Sequence, residues 1–71
     1  MKFNQELLAI DLVSKRVVSK QNLRQAAKDI GISFAQLNRI ESQKCVPGVD
    51  TFLRLCEWIN VTPLRYFNLS S

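Results

Sequence analysis

The segment Asn22-Leu23-Arg24-Gln25-Ala26-Ala27-Lys28-Asp29-Ile30-Gly31-Ile32-Ser33-Phe34-Ala35-Gln36-Leu37-Asn38-Arg39-Ile40-Glu41-Ser42 carries two helical apolar patterns separated by three residues. Leu23, Ala26, Ala27 and Ile30 form the first apolar face, and Leu37 and Ile40 the second. Asn22 is placed to cap the first helix, with Gln25 three residues on to reach back to it. Ser33 and Gln36 repeat that arrangement for the second helix. Gly31 ends the first helix, where a left-handed backbone costs least without a Cβ. A connection of only Gly31-Ile32-Ser33 predicts that the two helices cross steeply instead of lying antiparallel. Ala27 is small enough for the close approach this requires. Leu37 and Ile40 plug the corner, and Ile30 and Ile32 close it from either side of the turn.

Helical spacing extends on both sides. The first helix of the chain is predicted from about Gln5 to Val18, capped by Asn4, with Phe3 and Leu8 as a hydrophobic staple. Leu7, Ile10 and the Val13-Ser14-Val17 run are assigned to its inward face. The two helices of the corner span about Leu23–Ile30 and Phe34–Ser42. A fourth runs from about Thr51 to Ile59, capped by Asp50, with Phe52, Leu55, Cys56 and Ile59 inward. A fifth, short helix runs from Pro63 to about Asn68, with Thr62 as cap and Pro63 at its first position. No segment reads as a strand. The expected architecture is all-α: a compact five-helix domain over residues 1–71.

Seventy-one residues suit a single small domain, which buries only about 60% of its unfolded surface. Hydrophobic residues make up 46% and charged residues 23%, a globular composition. Ten Lys and Arg against six Asp and Glu leave +4, and the excess is local. Residues 15–44 hold seven bases (Lys15, Arg16, Lys20, Arg24, Lys28, Arg39, Lys44) against Asp29 and Glu41 alone. Residues 45–71 are neutral. A basic region of this kind suits an anionic partner. No apolar run is long enough for a membrane span, and the N-terminus lacks a signal-peptide pattern, so a cytoplasmic location is expected. The absence of His removes the usual general base and the usual zinc sets, and no glycine-rich phosphate loop occurs. An enzyme is therefore not expected, nor any cofactor or metal. Cys45 and Cys56 read as a loop thiol and a small core hydrophobe.

The two-helix corner is the helix-turn-helix pattern (about residues 22–42), which sets its second helix in the major groove of DNA. At Ala26-Ala27-Lys28-Asp29-Ile30-Gly31-Ile32-Ser33 and Leu37-Asn38-Arg39-Ile40-Glu41 the chain resembles the lambda repressor/Cro-type, or XRE-type, helix-turn-helix family. Pro47, Asp50-Thr51-Phe52-Leu53 and Ile59-Asn60-Val61-Thr62-Pro63 also fit, so the resemblance covers about Asn22 to Phe67. It implies a lambda-repressor-like fold and a set of contacts. Ser33, Phe34, Ala35 and Gln36 would face base edges, with Asn38 and Arg39 one turn on. Asn22, Leu23 and Arg24, and the loop Ser42-Gln43-Lys44, would touch the DNA backbone.

The chemistry of these side chains grades the assignments. A guanidinium such as Arg39 matches the two acceptors of guanine, and Gln36 or Asn38 suits adenine. Phe34 and Ala35 offer only apolar contact to thymine methyl groups. Arg24, Lys28 and Lys44 suit phosphates, which fix register without reading sequence. Glu41 reads as structural, pairing with an Arg or bonding backbone near the turn. Three positions depart from the family's pattern. Leu23 stands where Gln is frequent, Phe34 is unusually apolar for a base-facing site, and Gln43 stands where Gly is frequent. A left-handed backbone at Gln43 would cost roughly 1 kcal/mol.

The expected function is sequence-specific binding of double-stranded DNA as a transcriptional regulator. The simplest form is a small bacterial or phage repressor acting as a homodimer on a palindromic operator. Trp58, off the main stripe of the fourth helix, together with Leu64, Tyr66 and Leu69, is the expected dimer contact. A Trp that merely closes the edge of the core fits that position as well. The alternative function is a protein-interaction module or antitoxin-type partner of the same fold, with DNA binding secondary.

Overall fold

Side-chain caps start three of the four helices in the computed structural model, which describes residues 2–68. Helix α1 (Gln5–Val18) begins where Asn4 Oδ1 accepts from the Leu7 N–H at 3.0 Å. Helix α2 (Leu23–Ile30) opens with a full capping box. Asn22 accepts from the Gln25 N–H, and the Asn22 N–H donates to Gln25 Oε1. Helix α3 (Phe34–Glu41) is capped by Ser33 Oγ, which accepts from Gln36 N–H. Helix α4 (Val49–Ile59) starts two residues before the predicted position. Gly48 takes the cap position without a side-chain bond, and Asp50 lies inside the first turn, where its charge suits the helix dipole.

A left-handed residue ends every helix: Lys20 (φ 57°), Gly31 (φ 90°), Gln43 (φ 62°) and Asn60 (φ 68°). After α3 the Gln43 N–H donates to Ile40 O and the Lys44 N–H to Arg39 O, the paired bonds of a Schellman motif. Lys20 and Gln21 repeat those bonds after α1.

The predicted fifth helix is shorter than expected. Pro63–Tyr66 forms a single 3-10 turn, and Thr62 makes no side-chain cap bond. The chain then extends as β2 (Phe67–Asn68), antiparallel to β1 (Lys2–Phe3), with Phe3 opposite Phe67. This ladder corrects the expectation of no strand. It is held by an aromatic cluster: the Phe3 ring lies 5.5 Å from Phe52 and 5.4 Å from Phe67, and Phe52 lies 5.9 Å from Tyr66. Edge-to-face pairs at such distances are favourable beyond their buried area.

The core gathers Leu8, Leu12, Ala26, Ala27, Ile30, Leu37, Ile40, Leu55, Cys56 and Tyr66. The inward face of α1 differs in part from the predicted one: Leu7 packs against the core as read, but the predicted continuation through Ile10, Val13 and Val17 does not. Leu8, Ala9 and Leu12 are buried, while Ile10 is 51% exposed, Val13 36% and Val17 63%. The helix is apolar on both sides, so hydrophobic spacing alone leaves its rotation undetermined. Polar ties at the edges of the buried face decide it. Asp11 accepts from Arg65 and Tyr66, and Arg16 pairs with Glu41. Cys56 is buried as read, and that burial pushes its thiol pKa up. Among the described residues no helix is long and apolar enough to cross a membrane.

Candidate nucleic-acid interface

Helices α2 and α3 pack on each other across the three-residue connection. Gly31 N–H and Ile32 N–H both donate to Ala27 O, at 2.9 and 3.0 Å, which folds the chain back tightly. Ala26, Ala27, Leu37 and Ile40 are buried between the helices and the rest of the core. Glycine suits Gly31 because its φ is positive; an added Cβ would meet only the movable, exposed end of Arg54.

With Leu37 and Ile40 inward, α3 turns Phe34, Ala35, Asn38 and Arg39 to solvent, and the capping Ser33 is exposed beside them. Arg39 is free of ion pairs among the described residues. The two carboxylates nearest in sequence are occupied elsewhere. Glu41 is held bidentately by Arg16, Nε and Nη2 each at 3.1 Å, and Asp29 accepts from Gln21 Nε2. The structural reading of Glu41 thus holds, with Arg16 as its partner. Gln36 differs from its neighbours. It is half-buried, and its Nε2 donates to Thr51 Oγ1 at 3.1 Å, so it braces α3 against α4.

The flanking residues divide similarly. Asn22 is exposed, but its side chain is engaged as the α2 cap, and Leu23 packs against the core. Arg24 lays its guanidinium over the Phe34 ring, 4.7 Å from the centroid. Arg24 and Phe34 line a shallow groove of about 350 Å³ with Arg16, Asn22 and Leu23. At the other end of α3, Ser42 Oγ donates to Asn38 O at 2.7 Å, leaving its side chain committed to the helix end. Gln43 is left-handed, the case in which a residue with a Cβ carries strain, and Lys44 is exposed. Gln5 Nε2 donates to Gln43 O and Cys45 O, strapping this loop to the start of α1. Nothing in the spacing marked Gln5 for that role, because its partners lie about forty residues away.

Of the expected self-association residues, one is buried. Tyr66 is fully buried and its hydroxyl donates to Asp11 Oδ2 at 2.8 Å, which corrects its assignment as an interface residue. An aromatic beside a proline turn looks exposed by spacing, but Asp11 supplies the acceptor that lets it enter the core. Trp58 is half-buried against the core, and Leu64 is 60% exposed. Leu69 lies outside the described residues. The Arg65 guanidinium, hydrogen-bonded to Asp11, holds its carboxyl below the usual range against the opposing effect of burial, and Tyr66 assists. Burial, then the bond to Asp11, pushes the Tyr66 hydroxyl well above its ordinary value.

Comparison with protein-family models, with curated proteins and with solved structures found no match to this chain.

Proposed function

We propose that this chain is a helix-turn-helix protein of the lambda-repressor type that binds double-stranded DNA sequence-specifically, α3 entering the major groove. The observation that carries the reading is the outward face of α3. It presents Phe34, Ala35, Asn38 and Arg39, the last without an ion pair among the described residues, on a short helix tied to α2 by Gly31-Ile32-Ser33. Arg24 at one end and Lys44 at the other are exposed cations in position for phosphates. Base reading falls to Arg39 and Asn38 by hydrogen bonds and to Phe34 and Ala35 by apolar contact. Gln36 contributes as a brace through Thr51. The simplest biological role is a transcriptional regulator, most economically a repressor that occludes its site.

Selection of bound duplexes from a random pool tests this. A short enriched consensus, bound with affinity that falls steeply with salt, supports the reading. A second reading, a protein-interaction module of the same fold, is favoured by the 39% exposed Phe34 at the start of α3. Absence of any enriched sequence would transfer preference to it.

A further inference from the structure

Gln5 Nε2 directs both of its hydrogens to one loop, donating to Gln43 O at 3.1 Å and to Cys45 O at 3.2 Å. These two carbonyls lie on either side of Lys44 in the chain. The peptide between Gln43 and Lys44 is held at both of its polar ends, because the Lys44 N–H donates to Arg39 O at 2.8 Å. Residues 42–48 connect α3 to α4. Among the described residues, the two bonds from Gln5 are the only hydrogen bonds that reach this connection from outside those two helices.

Gln5 is itself fixed. It is the first residue of α1, directly after the cap Asn4. The Asn4 side chain accepts from the Leu7 N–H, and the Asn4 N–H donates to the backbone carbonyl of the fully buried Tyr66. A continuous set of bonds thus runs from Tyr66 through Asn4 and Gln5 to both sides of Lys44. Lys44 is exposed, and its ammonium has no carboxylate partner among the described residues. A lysine on an untethered loop must be ordered when it meets a phosphate, and that ordering weakens binding. A loop held in advance avoids part of the loss.

We infer that Gln5 is a positioning residue for DNA binding: from the first turn of α1 it fixes the backbone on both sides of Lys44 and so presents that ammonium to a phosphate. This role rests on the DNA-binding reading proposed above and adds to it a residue outside the two helices of the corner. Cys45 also packs against the core, so loss of the strap loosens the loop and leaves the fold intact.

The test compares the unaltered protein with Gln5→Met, Gln5→Ala, Lys44→Ala and the double variant Gln5→Met/Lys44→Ala, each verified as folded by circular dichroism. Met keeps the length of Gln and removes both donors. In the free protein, NMR relaxation of the backbone amides should give lower order parameters at Lys44 and Cys45 in Gln5→Met than in the unaltered chain. In anisotropy titrations with the duplex selected from the random pool, Gln5→Met and Gln5→Ala should each bind about two- to tenfold more weakly. Sequence selection with either should return the same consensus, because a phosphate contact reads no base. The double variant should bind about as tightly as Lys44→Ala alone, since no ammonium is left to position. Full additivity of the two substitutions overturns the role, as does a Gln5→Met protein with unchanged order parameters. Weakening by Gln5→Ala but not by Gln5→Met assigns the effect to side-chain bulk and overturns it too. If no duplex is enriched, the DNA-binding reading fails and this role with it. If a duplex is bound and Gln5→Met binds it as tightly as the unaltered chain, this role alone fails.

Discussion

Arg24 stacks its guanidinium 4.7 Å from the centre of the Phe34 ring, joining the first turn of α2 to the first turn of α3. An exposed cation–π contact of this kind is worth about 0.5–1 kcal/mol. It also fixes a charge beside an apolar surface at the place where α3 would meet base edges. The pair should act as one unit in DNA recognition. Arg24→Ala and Phe34→Ala should each weaken binding to the selected sequence, and the double variant should lose less than their sum. The expected coupling is about 0.5–1 kcal/mol by double-mutant cycle. Strict additivity in a fluorescence-anisotropy titration would show that the two side chains act independently.

Arg39 and Lys44 should fail in different ways. Arg39 is exposed on α3 with no carboxylate partner among the described residues, whereas Lys44 follows the helix end in a loop held by Gln5. Arg39→Ala should cost about 1–3 kcal/mol on the preferred sequence and relax the preference at one base position. Lys44→Ala should weaken binding evenly on all sequences and reduce the salt slope by about one. Repeating the sequence selection with each variant reads the difference directly. An unchanged consensus with Arg39→Ala removes that residue from base reading.

Much of this arrangement was legible in the sequence because it depends on neighbours along the chain. Asn4, Asn22 and Ser33 cap helices within three residues of themselves, so the bounds of α1 and α2 follow from the sequence directly. The exposed face of α3 follows in turn from Leu37 and Ile40. What escaped depends on distant partners. The rotation of α1 is ambiguous until Asp11 meets Tyr66 and Arg16 meets Glu41. The β1–β2 ladder is too short to show alternation, and Gln36 appeared free to read bases because Thr51 lies fifteen residues away on another helix. Gly48 displaced Asp50 as the cap of α4, since the helix gains backbone hydrogen bonds by starting two residues earlier, with Phe52 N–H donating to Gly48 O at 2.8 Å.

Gln43 is a site where stability can be raised. Its φ of 62° is one that residues with a Cβ adopt at a cost, and its main bonds are made by backbone atoms. Gln43→Gly should relieve that strain and stabilise the fold by up to about 1 kcal/mol, offset in part by the greater freedom of Gly in the unfolded chain. For a domain of this size that corresponds to a rise of up to about 4–8 °C in Tm. Gln43→Ala keeps the left-handed strain and should not raise Tm. A Tm for Gln43→Gly below that of Gln43→Ala would mean that the backbone there carries no strain, since only the greater freedom of Gly in the unfolded chain would then be felt.

The Asp11–Tyr66 bond should give stability a dependence on pH at both ends. Asp11 has its pKa lowered in the fold by Arg65 and Tyr66, so its contribution is present above the unfolded carboxyl value of about 4 and is lost as pH falls. Tyr66 has its pKa raised by burial and by Asp11, so its contribution is present below the unfolded phenol value of about 10 and is lost as pH rises beyond it. Near neutrality both contributions are intact. Asp11→Ala leaves the buried Tyr66 hydroxyl without an acceptor and should cost about 1–3 kcal/mol. Adding Tyr66→Phe removes the stranded hydroxyl and should recover part of that loss. Tyr66→Phe alone should flatten the alkaline limb in urea titrations followed across pH, because the titrating group is gone. An alkaline limb that persists unchanged in Tyr66→Phe would assign that instability to another group, and the Asp11–Tyr66 bond would then be a packing contact without a role in pH dependence.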